Sequence, residues 1–162
     1  MRLMLRSLLA LALPTMLAAQ QHDPAHHQPG QAAPHEEPTI VIVVRHAERG
    51  TEPAGNPRLT PAGEARALAL VEALRDAKVD VVLHTPLTRT RDTALPVARH
   101  FGITPEEVPL SPGASHIEAM AAAVKKHHGK TVLVVGHSNT IMQYIAALGG
   151  PRRGDLCDHQ YN

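Results

Sequence analysis

The sequence has few aromatic side chains and little net charge. Its 162 residues include no tryptophan and three aromatic residues, Phe101, Tyr144 and Tyr161, and the formal net charge is +1. Proteins that bind single-stranded nucleic acid usually stack bases on aromatic rings, and proteins that bind duplex DNA usually present a basic surface. These absences argue against a nucleic-acid partner. The single cysteine, Cys157, cannot close a disulfide within the chain, so stability must come from an apolar core.

The sequence also lacks the run of about 20 apolar residues that a membrane-spanning helix needs. Its apolar stretch from Leu8 to Ala19 is shorter, follows Arg2 and Arg6, and is interrupted by Pro14. A basic start, a short apolar segment and small residues at its end are typical of a secretory signal peptide. We therefore predict a signal peptide over residues 1–19, export to the periplasm or the extracellular space, and no stable membrane insertion after cleavage. An uncleaved membrane anchor is the alternative.

Residues 20–38 are rich in proline, glutamine, alanine and histidine and show no apolar periodicity. This composition predicts a flexible linker. Its polar side chains could also capture a transition metal, although their spacing matches no closed zinc site. The residues concerned are His22, Asp23, His26, His27, His35, Glu36 and Glu37.

The remaining residues, 39–162, alternate between apolar runs and helical patterns and are predicted to form one domain. Strands are predicted over Thr39–Val44, Val79–Leu83 and Thr131–Val135, and helices over Pro61–Leu74, Leu87–His100, Ile117–His128 and Ile141–Leu148. Thr60 is expected to cap the first helix, and the second is expected to kink at Pro96. Apolar strands separated by helices predict an α/β three-layer sandwich, with a mainly parallel sheet flanked by helices.

Polar side chains follow each of the three predicted strands. Arg45 and His46 follow the first, Arg89 lies a few residues beyond the second, and His137 follows the third. The carboxyl ends of parallel strands meet at one edge of a sheet, where ligands bind. Two imidazoles with two guanidiniums suit phosphoryl transfer, because a neutral histidine can attack phosphorus while arginines hold the phosphoryl oxygens. No zinc-like spacing accompanies these residues, so the predicted reaction needs no metal and no cofactor.

In four motifs the sequence resembles the histidine phosphatase superfamily, also called phosphoglycerate-mutase-like. The motifs are Arg45-His46-Ala47-Glu48, Leu59-Thr60-Pro61-Ala62-Gly63, Thr85-Pro86-Leu87-Thr88-Arg89 and Gly136-His137-Ser138-Asn139. The resemblance implies that His46 is the phosphorylated nucleophile and that Arg45, Arg89 and His137 form the rest of the phosphate-binding site. Arg91 is expected to be a solvated charge.

The sequence departs from the family pattern in two places. Many members carry an acid that protonates the leaving oxygen between the two halves of the site, whereas here that segment, Glu106 to Glu118, contains no recognisable motif. Glu48, His116 and Glu118 are the candidate proton donors. Relatives also continue past a Tyr-Asp or Tyr-Asn pair into another apolar strand, whereas this sequence ends at Tyr161-Asn162. Either the chain is shortened or it lacks that edge strand.

The size of the domain favours hydrolysis over mutase activity. Mutases of this superfamily carry long insertions that enclose the substrate, and this domain has little sequence for a lid that would exclude water. We therefore predict an exported phosphatase that hydrolyses a small phosphomonoester through a phosphohistidine on His46. The alternatives are a phosphohistidine protein phosphatase and a non-catalytic phosphate- or metal-binding protein.

Overall fold

The structure is a computed structural model that describes residues 37–112, 114–157 and 161. The predicted signal peptide and all but the last two residues of the predicted linker lie outside these residues, so both stay predictions. The elements in chain order are β1 (Ile40–Arg45), α1 (Pro61–Ala73), β2 (Val81–His84), α2 (Thr88–Phe101), β3 (Glu106–Glu107), α3 (Ala114–Lys126), β4 (Thr131–Gly136) and α4 (Ile141–Ala147).

Four strands form one parallel sheet in the order β1-β4-β2-β3. Alternate side chains of the strands enter two separate apolar clusters. Val81, Leu83, Val132 and Val134 pack with α3 and α4 on one face, and Val82, Leu133 and Val135 pack with α1 and α2 on the other. Because residues i and i+2 of a strand share a face, helices cover both sides of the sheet. The predicted three-layer α/β sandwich is therefore confirmed.

The sequence did not predict β3, and it placed the start of α3 too late. Glu106 and Glu107 are both exposed and pair only with Leu83 and His84, so they carry no apolar run that would indicate a strand. Helix α3 begins at Ala114, three residues before the first residue of the predicted helix, Ile117. Its first residues are small or polar, and a prediction based on apolar periodicity does not detect them.

The first turn of α1 lies against the segment that follows β1. Thr60 caps α1 by accepting a hydrogen bond from the Gly63 amide (3.1 Å), as predicted, and its own amide donates to the Glu48 carbonyl (2.9 Å). The contact between the two backbones is so close that a Cβ on Gly63 would lie 2.2 Å from that carbonyl oxygen. Only glycine fits there, which explains the glycine in this motif.

Helix α2 runs through Pro96 and ends at Gly102, whose φ of 68° is the left-handed conformation that glycine adopts at low cost. Among the described residues, no helix combines the length and the apolar character that crossing a membrane requires.

Candidate active site

The two histidines predicted for the site lie side by side at the ends of neighbouring strands. Arg45 of β1 is in register with Gly136 of β4, and the His46 amide donates to the Gly136 carbonyl (2.9 Å). The next residue after each of these strand ends is a histidine. The rings of His46 and His137 are therefore neighbours, with centroids 5.4 Å apart.

One tautomer of His46 is fixed by its surroundings. The ring is buried, and its Nδ1 lies 2.8 Å from the Ala47 carbonyl oxygen. A carbonyl only accepts, so Nδ1 carries the proton and Nε2 keeps a lone pair. The Ala47 backbone is fixed in turn, because its amide donates to the Thr93 hydroxyl (2.9 Å). This arrangement leaves the lone pair of His46 on Nε2.

A chain of two threonine hydroxyls fixes the tautomer of His137. The Thr90 hydroxyl lies 2.7 Å from the Leu87 carbonyl and 2.9 Å from the Thr85 carbonyl, so its proton goes to a carbonyl. Thr90 then accepts from the Thr85 hydroxyl (2.8 Å), and Thr85 accepts from Nε2 of His137 (3.0 Å). The opposite nitrogen, Nδ1, is buried and has no hydrogen-bond partner among the described residues, so it can take a proton when an anion binds.

The two predicted arginines reach the same place from different elements. Arg45 donates to the Cys157 carbonyl (3.0 Å) and lies 4.2 Å from the centre of the Tyr161 ring. Arg89, in the first turn of α2, donates to the Gly55 carbonyl (3.4 Å), and its buried Nε has no partner among the described residues. Arg91, which the sequence analysis expected to be a solvated charge, is exposed and pairs with Asp92 (3.0 Å).

These side chains line one cavity of about 320 Å³. The predicted residues Arg45, His46, Arg89 and His137 all lie on it, together with residues whose contribution the sequence did not reveal. The complete lining among the described residues is Arg45, His46, Arg49, Gly50, Thr51, Arg89, His137, Ser138, Asn139 and Tyr161.

Burial and the surrounding positive charge keep both imidazoles neutral at pH 7. Burial is the main cause that lowers the pKa of His46 to about 4, and the nearby arginine charges lower it further. Burial also lowers the pKa of His137 to about 3, with Arg89 as the next largest cause. Neutral His46 is the form that can attack phosphorus. The arginines supply the positive charge that a phosphate dianion needs.

Comparison with known proteins identifies the family. The sequence profile of the histidine phosphatase superfamily (branch 1) matches residues 41–110, which hold Arg45, His46 and Arg89. A putative phosphohistidine phosphatase SixA from Nakamurella multipartitia is 29% identical, with a TM-score of 0.52 and coverage of 70% of this chain and 72% of that one. Residues 41–110 of the chain therefore match the histidine phosphatase superfamily.

Other solved structures share the fold at lower identity. A putative SixA from Agrobacterium tumefaciens is 24% identical, with a TM-score of 0.57 and coverage of 70% of this chain and 78% of that one. A mycobacterial glucosyl-3-phosphoglycerate phosphatase is 16% identical, with a TM-score of 0.54 and coverage of 67% of this chain and 78% of that one. A comparison with curated protein sequences gave no match.

None of the three candidate proton donors lines this cavity. The Glu48 carboxylate is held by Arg66 through contacts of 2.7 to 3.0 Å, and this hydrogen bonding lowers the pKa of Glu48. The buried His116 ring lies between the Pro109 carbonyl and the Tyr144 hydroxyl. Glu118 is exposed and lines a different cavity, beside α4. Among the described residues, the structure therefore brings together the four predicted side chains of Arg45, His46, Arg89 and His137 but no carboxylic acid.

Three contributors to the site were missed by sequence reasoning. Thr85 begins the Thr85-Pro86-Leu87-Thr88-Arg89 motif and Thr93 follows it. Their roles depend on side-chain hydrogen bonds that the spacing of residues does not predict. Arg49 could have been noticed, since it follows the Arg45-His46-Ala47-Glu48 motif directly. Among the described residues, no group of three or more His, Cys, Asp or Glu side chains could hold a metal ion.

Proposed function

We propose that this protein is a phosphatase that transfers a phosphoryl group from its substrate to Nε2 of His46 and then to water. The observation that carries the proposal is the tautomer of His46. Its Nδ1 proton is held by the Ala47 carbonyl, which leaves a lone pair on Nε2 of a ring that lines a cationic cavity. The comparisons support phosphatase chemistry, since residues 41–110 match the histidine phosphatase superfamily.

The reaction proceeds in two displacements. In the first, the Nε2 lone pair of His46 forms a bond to phosphorus, and the bond from phosphorus to the leaving atom breaks with its electron pair going to that atom. Arg45 and Arg89 hold the phosphoryl oxygens, and His137 takes a proton on Nδ1 as the dianion binds. In the second, the oxygen of a water molecule bonds to phosphorus and the P–N bond breaks with its electron pair returning to Nε2 of His46. The protons of that water leave with phosphate or pass to solvent, and His137 releases its Nδ1 proton as the anion departs, so both imidazoles are neutral again.

The make-up of the cavity selects the leaving group. No carboxylic acid lines the cavity among the described residues, and in the proposed reaction the proton on His137 is held by a phosphoryl oxygen, so the leaving atom departs with little help from an acid of the protein. Aryl phosphates meet this requirement because a phenolate is a far better leaving group than an alkoxide. We therefore expect hydrolysis of aryl phosphates to exceed that of alkyl phosphates by at least about 10²-fold, the size of a typical general-acid contribution.

A phosphohistidine protein phosphatase is the second candidate, and the same observation favours it. The leaving imidazole of phosphohistidine needs no carboxylic acid, and two of the similar structures are putative phosphohistidine phosphatases. Equal turnover of alkyl and aryl phosphates would contradict the leaving-group preference from which both candidates are argued. Turnover of a phosphohistidine-bearing protein well above that of aryl phosphates would favour the second.

Trapping the phosphoenzyme tests the covalent step. Rapid denaturation during turnover of a labelled aryl phosphate should leave acid-labile phosphate on the wild-type protein and none on His46→Ala, which should also lose turnover. His100→Ala, which replaces an exposed histidine outside the cavity, should trap phosphate like the wild type. EDTA should leave the rate unchanged, because we propose a reaction that needs no metal. Label on His46→Ala, or a rate that EDTA abolishes and a metal restores, would refute the mechanism.

We also propose that the enzyme acts outside the cytoplasm. The support is the sequence of residues 1–19, with its two arginines and short apolar stretch. Fractionation of expressing cells, with and without these residues, tests the proposal. Recovery of the full-length protein with cytoplasmic markers would contradict it.

A further inference from the structure

The cavity holds more positive charge than the transferred phosphoryl group requires. Three guanidiniums line it, from Arg45, Arg49 and Arg89, and no carboxylate lines it among the described residues. Arg45 and Arg89 together offset the two negative charges of a phosphate monoester dianion. Arg49 is then a third cation with no assigned partner in the proposed reaction.

The backbone of Arg49 is fixed by an antiparallel bridge. Arg49 pairs with Leu59, and the Gly50 amide next to it donates to the Arg58 carbonyl (2.9 Å). The residue itself is exposed, whereas Arg89 is half-buried and His46 is buried. Arg49 therefore lies at the mouth of the cavity and the histidines lie at its base.

The charge of Arg49 acts on the groups at the base. It contributes to the lowered pKa of His46 and is the second cause, after burial, of the lowered pKa of Arg89. The acidic neighbour in sequence, Glu48, does not offset this charge within the cavity, because its carboxylate is bound by Arg66. Arg49 thus adds to the positive potential that a ligand meets on entry.

The dimensions of the cavity leave room for part of the leaving group. A volume of about 320 Å³ is several times that of a phosphoryl group, so a small leaving group would extend from the base towards Arg49. The planar guanidinium of arginine matches a carboxylate through two parallel hydrogen bonds. We propose that Arg49 binds a carboxylate on the leaving group, so that the preferred substrate is a small phosphorylated compound that also carries a carboxylic acid. This inference rests on the proposed phosphatase function.

A matched pair of substrates tests the charge preference. 3-Carboxyphenyl phosphate and 3-carbamoylphenyl phosphate have nearly the same shape, but only the first carries a second anion. The wild type should prefer the carboxylate by about tenfold or more in kcat/KM, which equals about 1.4 kcal/mol, and Arg49→Gln should reduce the ratio to about one. The measured quantity is the ratio of kcat/KM for the carboxylated ester to kcat/KM for the carbamoylated ester. A loss of rate in Arg49→Gln that affects both esters equally leaves this ratio unchanged and does not support the inference.

Arg58→Gln provides the control, because Arg58 is an exposed arginine of the same loop that lies outside this cavity. It should keep the wild-type ratio. A wild type without the preference, or an Arg49→Gln variant that retains it, would overturn the inference.

A binding measurement separates this inference from the proposed reaction. The corresponding carboxylated and carbamoylated benzylphosphonates cannot be hydrolysed, and their affinities can be compared by calorimetry. Tighter binding of the carboxylate by the wild type, lost in Arg49→Gln, would support the anion site even if neither phosphate ester were turned over. Equal affinities would refute it even if both esters were good substrates.

Discussion

Replacing Gly63 by alanine should lower both the stability of the fold and the activity of the site, although the same substitution usually stabilises a helix. Alanine normally stabilises a helix by up to about 1 kcal/mol relative to glycine. Here the new Cβ would lie 2.2 Å from the Glu48 carbonyl oxygen, whereas ordinary contact begins at 3.4 Å. One of the two backbones must therefore move by roughly 1 Å.

The movement has a cost in stability and a cost in activity. It strains the 2.9 Å hydrogen bond from the Thr60 amide to the Glu48 carbonyl, and overpacking of this kind typically costs about 1 to 3 kcal/mol. Glu48 lies two residues after His46. A displacement of about 1 Å at a nucleophile can reduce the rate on the order of 10²-fold.

Denaturant unfolding and steady-state kinetics with an aryl phosphate measure the two effects separately. Gly154→Ala is the control, because a Cβ at Gly154 would meet no heavy atom within 4 Å, and it should change neither. A Gly63→Ala variant as stable as the wild type would show that the helix and the loop can separate freely. Lower stability with full kcat/KM would show that the Glu48 backbone does not position His46.

Two further predictions concern the charges of the site. Arg89→Ala should lower kcat/KM for an aryl phosphate by about 10²-fold or more, because it removes a donor to the transferring phosphoryl group, whereas Arg91→Ala should be nearly silent; equal effects would mean that Arg91 also reaches the substrate. Acid should destabilise the fold, because the pKa values of His46 and His137 are about 4 and 3 in the folded chain and about 6.5 when unfolded. Below pH 6.5 the unfolded chain therefore binds more protons than the folded chain, so the free energy of unfolding decreases as the pH is lowered. Between pH 8 and pH 5 each histidine should contribute roughly 2 kcal/mol to that decrease. His137→Gln should reduce the fall by about its own share in urea unfolding at the two pH values, and parallel curves for variant and wild type would refute the attribution to burial.

The residues that meet at the strand ends could be predicted from the sequence, because they follow from the arrangement of parallel strands in a sheet. Apolar runs without alternation indicate buried parallel strands, and the polar residues that follow such strands must meet at one edge. His46, His137 and Arg45 follow from that rule, and Arg89 follows from the first turn of the next helix. The rule says nothing about side chains that act through hydrogen bonds, so the part played by Thr85 in fixing His137 could not be predicted.

The failure to place a proton donor has a different cause. The sequence offered Glu48 as the nearest carboxylate, but it gave no sign that Arg66, eighteen residues later, binds that carboxylate. Pairings between side chains of different elements depend on the packing of a helix against a loop. Short exposed strands such as β3 are missed for a related reason, since neither of its residues is apolar.

The register between β1 and β4 places His46 and His137 at neighbouring positions at the end of the sheet. Neighbouring strands are held about 4.8 Å apart by their backbone hydrogen bonds, and the rings at their ends are 5.4 Å apart. The backbone ladder sets the spacing of the two histidine backbones, so we expect substitutions in the covering helices to leave that backbone spacing unchanged. A slip of one residue would turn one histidine to the opposite face of the sheet. The pair is therefore either formed or lost, and we expect the rate of the proposed reaction to depend on the arginines and on Arg49 at the cavity mouth.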